Sequence, residues 1–384
     1  MTSTALSRPG QRERFSEKFA EIDWTFCLMI CAIAGIGTMM LYSMAPLAWK
    51  PWAAPHLIRF VMCFVLMLGL ALVSPRVWFF LAYPLYGISL VLLAAVDVVG
   101  RSSLGAQRWL QLGPVGIQPS EIMKIALVLT LARFYHGLSG RRARWSWNLL
   151  IPTILIVMPA VLVAKQPDLG TALLIVFTGG AVMFLAGLTW KILAAGAVSA
   201  VVGVPPMVMF VLKDYQRDRI LTFLNPEADP SGAGYHTLQS KIALGSGGLL
   251  GKGFGLGSQS QLNFLPEKHT DFAFSTFAEQ FGLVGCLTLL VLYAGVIAIS
   301  LRIASISHSH FTRLAVGGVT ATFTFYILVN AAMVMGMAPV VGVPMPLLSY
   351  GGTTMVTLMV AFGLVLSARI HRYDEIPVSS GLFF

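Results

Sequence analysis

The chain has 384 residues, 57% hydrophobic and 11% charged, with a formal net charge of +10 and a mean hydropathy of +0.78. That composition excludes a soluble globular domain and indicates an integral membrane protein. Nor does the basic excess mark a nucleic-acid binder, because the Lys and Arg residues sit in short segments and tails flanking apolar runs.

A polar tail, 1–23, carries Arg8, Arg12, Arg14 and Lys18 and leads into the first apolar run without a clear cleavage site, so that run is expected to stay as an anchor. A membrane span needs roughly 20 apolar residues. On that template candidates lie near 24–45, 57–73, 77–96, 120–135, 149–164, 169–188, 190–212, 272–300, 312–338 and 350–368, an all-α polytopic fold of about ten transmembrane helices. Arg76, the Arg141/Arg142/Arg144 cluster, Lys191, Arg302 with Arg313, and Arg369 and Arg372 of the tail 369–384 then fall on the side of the N-tail. Positive-inside placement makes that side, with both termini, cytoplasmic. Segments 97–118, 165–168, 213–270 and 339–349 are expected to face outward. The long loop 213–270 precedes the eighth span and is Gly-rich and polar, as functional loops often are. With no fixed-period repeat or soluble boundary, 1–384 reads as one membrane domain. Cys27, Cys31, Cys63 and Cys286 all lie in spans without metal or redox spacing and read as packing residues.

Polar groups recur at the outward edges of these spans. In QPSEIMK, Glu121 and Lys124 are three apart on one helical face, either an ion pair satisfying itself or part of a polar cavity. In VAKQPDLG, Lys165 and Asp168 flank Pro167 ahead of a helix that Asp168 is suited to cap. The glycine run 245–257, GSGGLLGKGFGLG, fails as a phosphate loop: Ser246 stands where the first glycine belongs and Gly253 where Ser or Thr would bind magnesium. It reads as a tightly folded or flexible loop near the membrane. In FLPEKHTDFAF, four ionisable groups, Glu267, Lys268, His269 and Asp271, crowd before an apolar helix. Asp271 is placed as an N-cap, but Phe274 stands where a capping-box partner belongs, and a cap leaves Glu267 and Lys268 unexplained. His308 and His310 lack acidic or thiol companions and read as solvated loop histidines. Pro339, Pro344 and Pro346 in PVVGVPMPLLSYGG forbid regular helix, so that segment should be an irregular loop buried in protein. Charges at mid-bilayer cost roughly 2.5–3.5 kcal/mol each, so several together argue for a shared polar cavity. Outward Arg101, Arg108, Arg217, Arg219, Lys241 and Lys268 would suit a phosphate-bearing lipid.

These motifs, with IDWTFCLMICAIAGIGTMMLYS, GAQRWLQLGPVGIQPSEIMKIALVL and SQSQLNFLPEKHTDF, resemble the shape, elongation, division and sporulation family of cell-wall polymerases over nearly the whole chain, closer to its rod-shape branch than to its division branch. The resemblance implies a peptidoglycan glycosyltransferase that polymerises lipid II on the outer face of the cytoplasmic membrane, using no nucleotide. The family's essential aspartate falls on Asp271, as a base for the 4-hydroxyl of the acceptor sugar. Glu267, Lys268, His269 and Thr270 would shape the approach. Arg108, Trp109, Glu121 and Lys124 would line the cavity with Arg217, cations would steady the undecaprenyl pyrophosphate leaving group, and Ser349 and Tyr350 would contact glycan or lipid. Asp168 would help hold a divalent cation, magnesium or manganese. The expected partners are a class B penicillin-binding protein and the elongation machinery, with Gly282, Gly285, Gly317 and Gly318 permitting close helix packing. The chain departs from the family pattern at Ala273, Gln280, Met345 and Leu347. A lipid II flippase, a recruiting scaffold and a division-specific polymerase are the competing readings. A transporter should place its polar residues near mid-bilayer on broken helices, whereas here they cluster at one face.

Overall fold

In a computed structural model of the chain, residues 15–45, 47–103, 106–112, 115–138, 147–192, 194–196, 198, 222–223, 232–262, 264–265 and 267–377 are described. A short helix, α1 (Phe15–Ala20), leads into α2 (Trp24–Met44), whose first turn is capped by Asp23 accepting from Phe26 N–H at 3.2 Å. Helix α3 spans Ala53–Ala71. Helix α4, Pro75–Val99, opens on a Ser74 cap with proline in its first turn, where the missing N–H costs nothing.

The segment expected as an outer loop then folds into a small antiparallel sheet, β1 (Arg101–Ser103), β2 (Ala106–Leu112) and β3 (Val115–Ile117), in the order β1-β2-β3. Arg101 pairs with Trp109 and Leu110 with Ile117. Helices α5 (Pro119–Gly137), α6 (Trp147–Lys165) and α7 (Leu169–Leu185) follow. Within the long loop, α8 (Ala233–Ser246) and the short α9 (Ser258–Gln261) precede α10 (Ala273–Ile306), α11 (His310–Val334) and α12 (Gly352–Ile370).

Six helices among the described residues, α2, α3, α4, α10, α11 and α12, are long and apolar enough to cross a membrane, and α6 and α7 supply shorter apolar stretches. The expected span 190–212 lies largely outside the described residues, as do the Arg141 cluster and Arg219. Helix α5 holds the middle. It packs against α4, α7 and α11 and is buried almost all round, from Met123 to Ala132. Lipid tails are as apolar as leucine, so the bundle is held by close packing of this kind. Gly318 faces Val182 and Val128, and Gly317 faces Leu185. These glycines, read from sequence as a possible seam for a partner, are therefore spent on packing inside the chain.

Gly282 has a still more local task. Its φ of 62° and ψ of −162° interrupt α10 in a region open essentially to glycine alone. The glycine-rich loop is docked into that break: Leu283 N–H donates to Gly248 O at 3.0 Å and Val284 N–H to Leu249 O at 3.1 Å. Lys252 N–H donates to Glu279 O and Gly253 N–H to Gln280 O. Glu279, fully buried, accepts from Lys252, Ser258 and the Gln259 N–H. The glycine run is thus a folded plug. A Cβ at Gly282 would stand 2.3 Å from Gly251 N. Gly282→Ala is expected to cost about 1–3 kcal/mol in backbone strain, with the collision in addition, and to reduce the monodisperse fraction on size-exclusion chromatography.

Candidate functional site

The side chains singled out in the sequence gather at one end of the bundle, in two groups joined by α11. The first group is built on α5 and α7. Glu121 and Lys124, both buried, form a 2.7 Å ion pair. The spacing of three puts them on one face of α5. Tyr326 of α11 completes the arrangement, its hydroxyl lying 3.0 and 2.9 Å from the two Glu121 oxygens and accepting from Lys124. Asp168 caps α7 by accepting from Thr171 N–H at 3.2 Å, takes a hydrogen bond from Gln118 at 3.4 Å, and lies 3.8 Å from Arg108. Arg108 is oriented from β2 by the carbonyls of Gln166 and Pro167. Its strand neighbour Trp109 does not join this group: it covers Gly116 across the hairpin, because adjacent strand residues point to opposite faces.

The second group surrounds Asp271. Phe272 is the N-cap residue of α10, with Asp271 immediately before it. The backbone of Asp271 is held by Asn330, whose amide donates to Asp271 O at 2.9 Å and to Val343 O at 2.6 Å. Asn330 stands four residues after Tyr326, one turn along the same face of α11, so a single helix supports both groups. The proline-rich loop 339–351 passes beside them, largely buried as expected. Its Val341 carbonyl would lie 2.4 Å from a Cβ at Gly170, just inside the cap made by Asp168, so only glycine allows this approach. The next residue, exposed Gly342, lies beside the Asp271 carboxylate, 3.5 Å from its would-be Cβ.

Around Asp271 the turn 267–270 presents its side chains unequally. Glu267 is exposed, at φ 52°, and accepts from the Thr270 hydroxyl at 2.9 Å. Lys268 is buried, 6.0 Å from the Trp52 ring, and His269 stacks on Trp52 at 4.8 Å with an interplanar angle of 16°. The His269 carbonyl accepts from Tyr350 N–H at 2.7 Å, and Arg59 lies over the Tyr350 ring at 4.8 Å. Ser349 faces inward instead, accepting from Met345 N–H at 3.0 Å to close its own loop. Arg217 lies outside the described residues. Sequence reasoning missed Trp52, Arg59, Tyr326 and Asn330. Arg59 and Asn330 had a signal, a polar group within an apolar helix.

Burial lowers the pKa of Lys268 from its ordinary 10.5. Burial also lowers that of His269 below 6.5, with Glu267 opposing and Lys268 adding to the shift. The folded ring therefore holds its proton less tightly than the unfolded one. Stability from this contact is present above pH 6.5 and is lost as pH falls through the lowered folded value. His269→Gln is expected to flatten the fall of thermal stability below pH 6.5 that the wild type shows in detergent.

The donors do not fit a divalent cation at Asp168. Its oxygens serve the α7 cap, Gln118 and Arg108, and among the described residues no three His, Cys, Asp or Glu side chains are grouped to hold an ion.

Fold and site together define a multi-pass membrane protein with a polar centre, partly buried and partly open, at one end of its helices. The chain belongs to the FtsW/RodA/SpoVE family of cell cycle proteins, whose pattern matches residues 23–374. It is 48% identical over 315 residues to the peptidoglycan glycosyltransferase MrdB of Escherichia coli K12, covering 82% of this chain and 84% of that one. It is 34% identical over 361 residues to the probable peptidoglycan glycosyltransferase FtsW of Trichlorobacter lovleyi, covering 91% and 93%. Among solved structures it resembles a chain of a peptidoglycan synthase complex that coordinates polymerisation and crosslinking, at TM-score 0.78 and 35% identity over 92% of this chain and 99% of the other. RodA of Thermus thermophilus aligns at TM-score 0.67 and 33% identity, over 92% and 98%.

Proposed function

We propose that this chain is a peptidoglycan glycosyltransferase of the elongation branch, polymerising lipid II with Asp271 as general base. The observation that carries the assignment is the setting of Asp271: its backbone is held by Asn330 just before α10, and its carboxylate lies beside the exposed Gly342. The higher identity to MrdB than to FtsW favours elongation over division.

In this reading the acceptor's 4-hydroxyl attacks the anomeric carbon of the donor. A C–O bond forms there with inversion, the bond to the diphosphate oxygen breaks, and the electron pair leaves with undecaprenyl pyrophosphate. Asp271 takes the hydroxyl proton. Lys268, in the turn before Asp271, and Arg59, over the Tyr350 ring, are the cations assigned to steady the diphosphate. Lys124 is less suited, because Glu121 already neutralises it. Arg108 and Asp168 shape the wall on the α7 side, and no step is routed through a metal ion.

The site end faces outward and both termini are cytoplasmic, in keeping with the placement of basic residues. A class B penicillin-binding protein is the proposed partner. The test is incubation of the purified chain and its transpeptidase partner with lipid II. Glycan polymer is expected. Failure to polymerise, with translocation of lipid II across proteoliposomes, would overturn the assignment in favour of a flippase.

A further inference from the structure

Large apolar side chains are exposed where the spans have ended. The part of α10 after the break at Gly282, Leu283–Ile306, is about 36 Å long at 1.5 Å per residue, against a hydrocarbon core of about 30 Å. Its uncharged stretch, Leu283–Leu301, is the part that fits the core, which leaves Ala273–Phe281 on the other side of the break. The break at Gly282 falls at that boundary. There the glycine-rich loop is fastened to Leu283 and Val284 by backbone hydrogen bonds, so the loop runs at the depth of the first lipid-facing turn. Leu283 and Val284 are 50% and 53% exposed, and in the loop Leu249, Leu250 and Leu256 reach 69%, 81% and 68%. A water-facing surface rarely carries a contiguous apolar patch of this kind.

The loop is also equipped to enter an apolar boundary. Its one charge, Lys252, is paired with Glu279 at 2.7 Å. Its backbone N–H groups at Gly251, Lys252 and Gly253 donate to Gly247, Glu279 and Gln280 carbonyls, which removes most of the cost of leaving water. We infer that the Leu249–Leu250 tip is a monotopic anchor inserted among the lipid acyl chains of the leaflet nearest the site, continuing the lipid-facing surface of α10. Such an anchor fixes the height of the turn 267–271 relative to the bilayer, through the plugged break in α10. It does not depend on the chemistry proposed for Asp271.

The test places a nitroxide at Leu250→Cys, and separately at Leu249→Cys, in the protein reconstituted into phosphatidylcholine–phosphatidylglycerol nanodiscs. The wild type serves as the reference for labelling of the native cysteines. Lys241→Cys, at an exposed position on α8, is the aqueous control. Collision with molecular oxygen and with a water-soluble nickel chelate is compared. At positions 249 and 250 the expected result is a severalfold higher ratio of oxygen to nickel accessibility than at 241. A ratio equal to the control would overturn the anchor, and protection from both reagents would overturn it in favour of a protein contact.

Discussion

Lys124→Met is expected to destabilise the protein by about 3–5 kcal/mol, more than any substitution on the lipid-facing surface. Lys124 is buried against Glu121 at 2.7 Å and donates to Tyr326, so its removal strands a buried carboxylate with one neutral donor. The double variant Glu121→Gln with Lys124→Met leaves no uncompensated charge. It is expected to recover much of the loss, because a buried pair costs nearly as much in desolvation as it returns. Thermal unfolding in detergent of the two single variants and the double variant forms a closed cycle. A loss in the double variant equal to the sum of the two single losses would show that the pair is not coupled.

The second large effect is on catalysis. Asp271→Asn is expected to lower glycan polymerisation by about 10²–10⁴-fold, the usual contribution of a positioned general base. Asparagine keeps the size of the side chain and leaves the Asn330 hydrogen bond to the backbone carbonyl untouched. Thermal stability should therefore remain close to wild type while initial polymerisation rates fall. A variant that loses stability and rate together would assign Asp271 a structural role instead.

Spans α2, α10, α11 and α12 were legible because their apolar runs are long and bounded by charge or proline. The helical spacing of Glu121 and Lys124 offered their ion pair only as an alternative to a polar cavity, and the position of Asp168 before an apolar helix offered its cap beside the reading as a cation ligand. The sheet over Arg101–Ile117 escaped notice, although AQRWLQL has the length of a strand. Its short strands carry weak alternation beside much stronger helical signals. Tyr326 and Asn330 were also missed. Each is one polar residue in an apolar helix, and its partners, Glu121 and the Asp271 backbone, are remote in sequence. Trp109 and Ser349 were expected at the cavity; the sequence did not show Trp109 turned onto Gly116 or Ser349 turned into its own loop. Strand alternation decides the first and a local turn closed through Met345 the second. The glycine run could be denied as a phosphate loop, yet its docking into the break at Gly282 depends on backbone approach, which leaves no residue pattern to read.

The most direct test of the proposed function is to reconstitute wild type and Asp271→Asn with the transpeptidase partner. Lipid II bound and glycan formed are then measured in the same preparations. Equal binding with polymer from the wild type alone is the expected result. Polymer from both proteins at equal rates would contradict the assignment of Asp271 as the base.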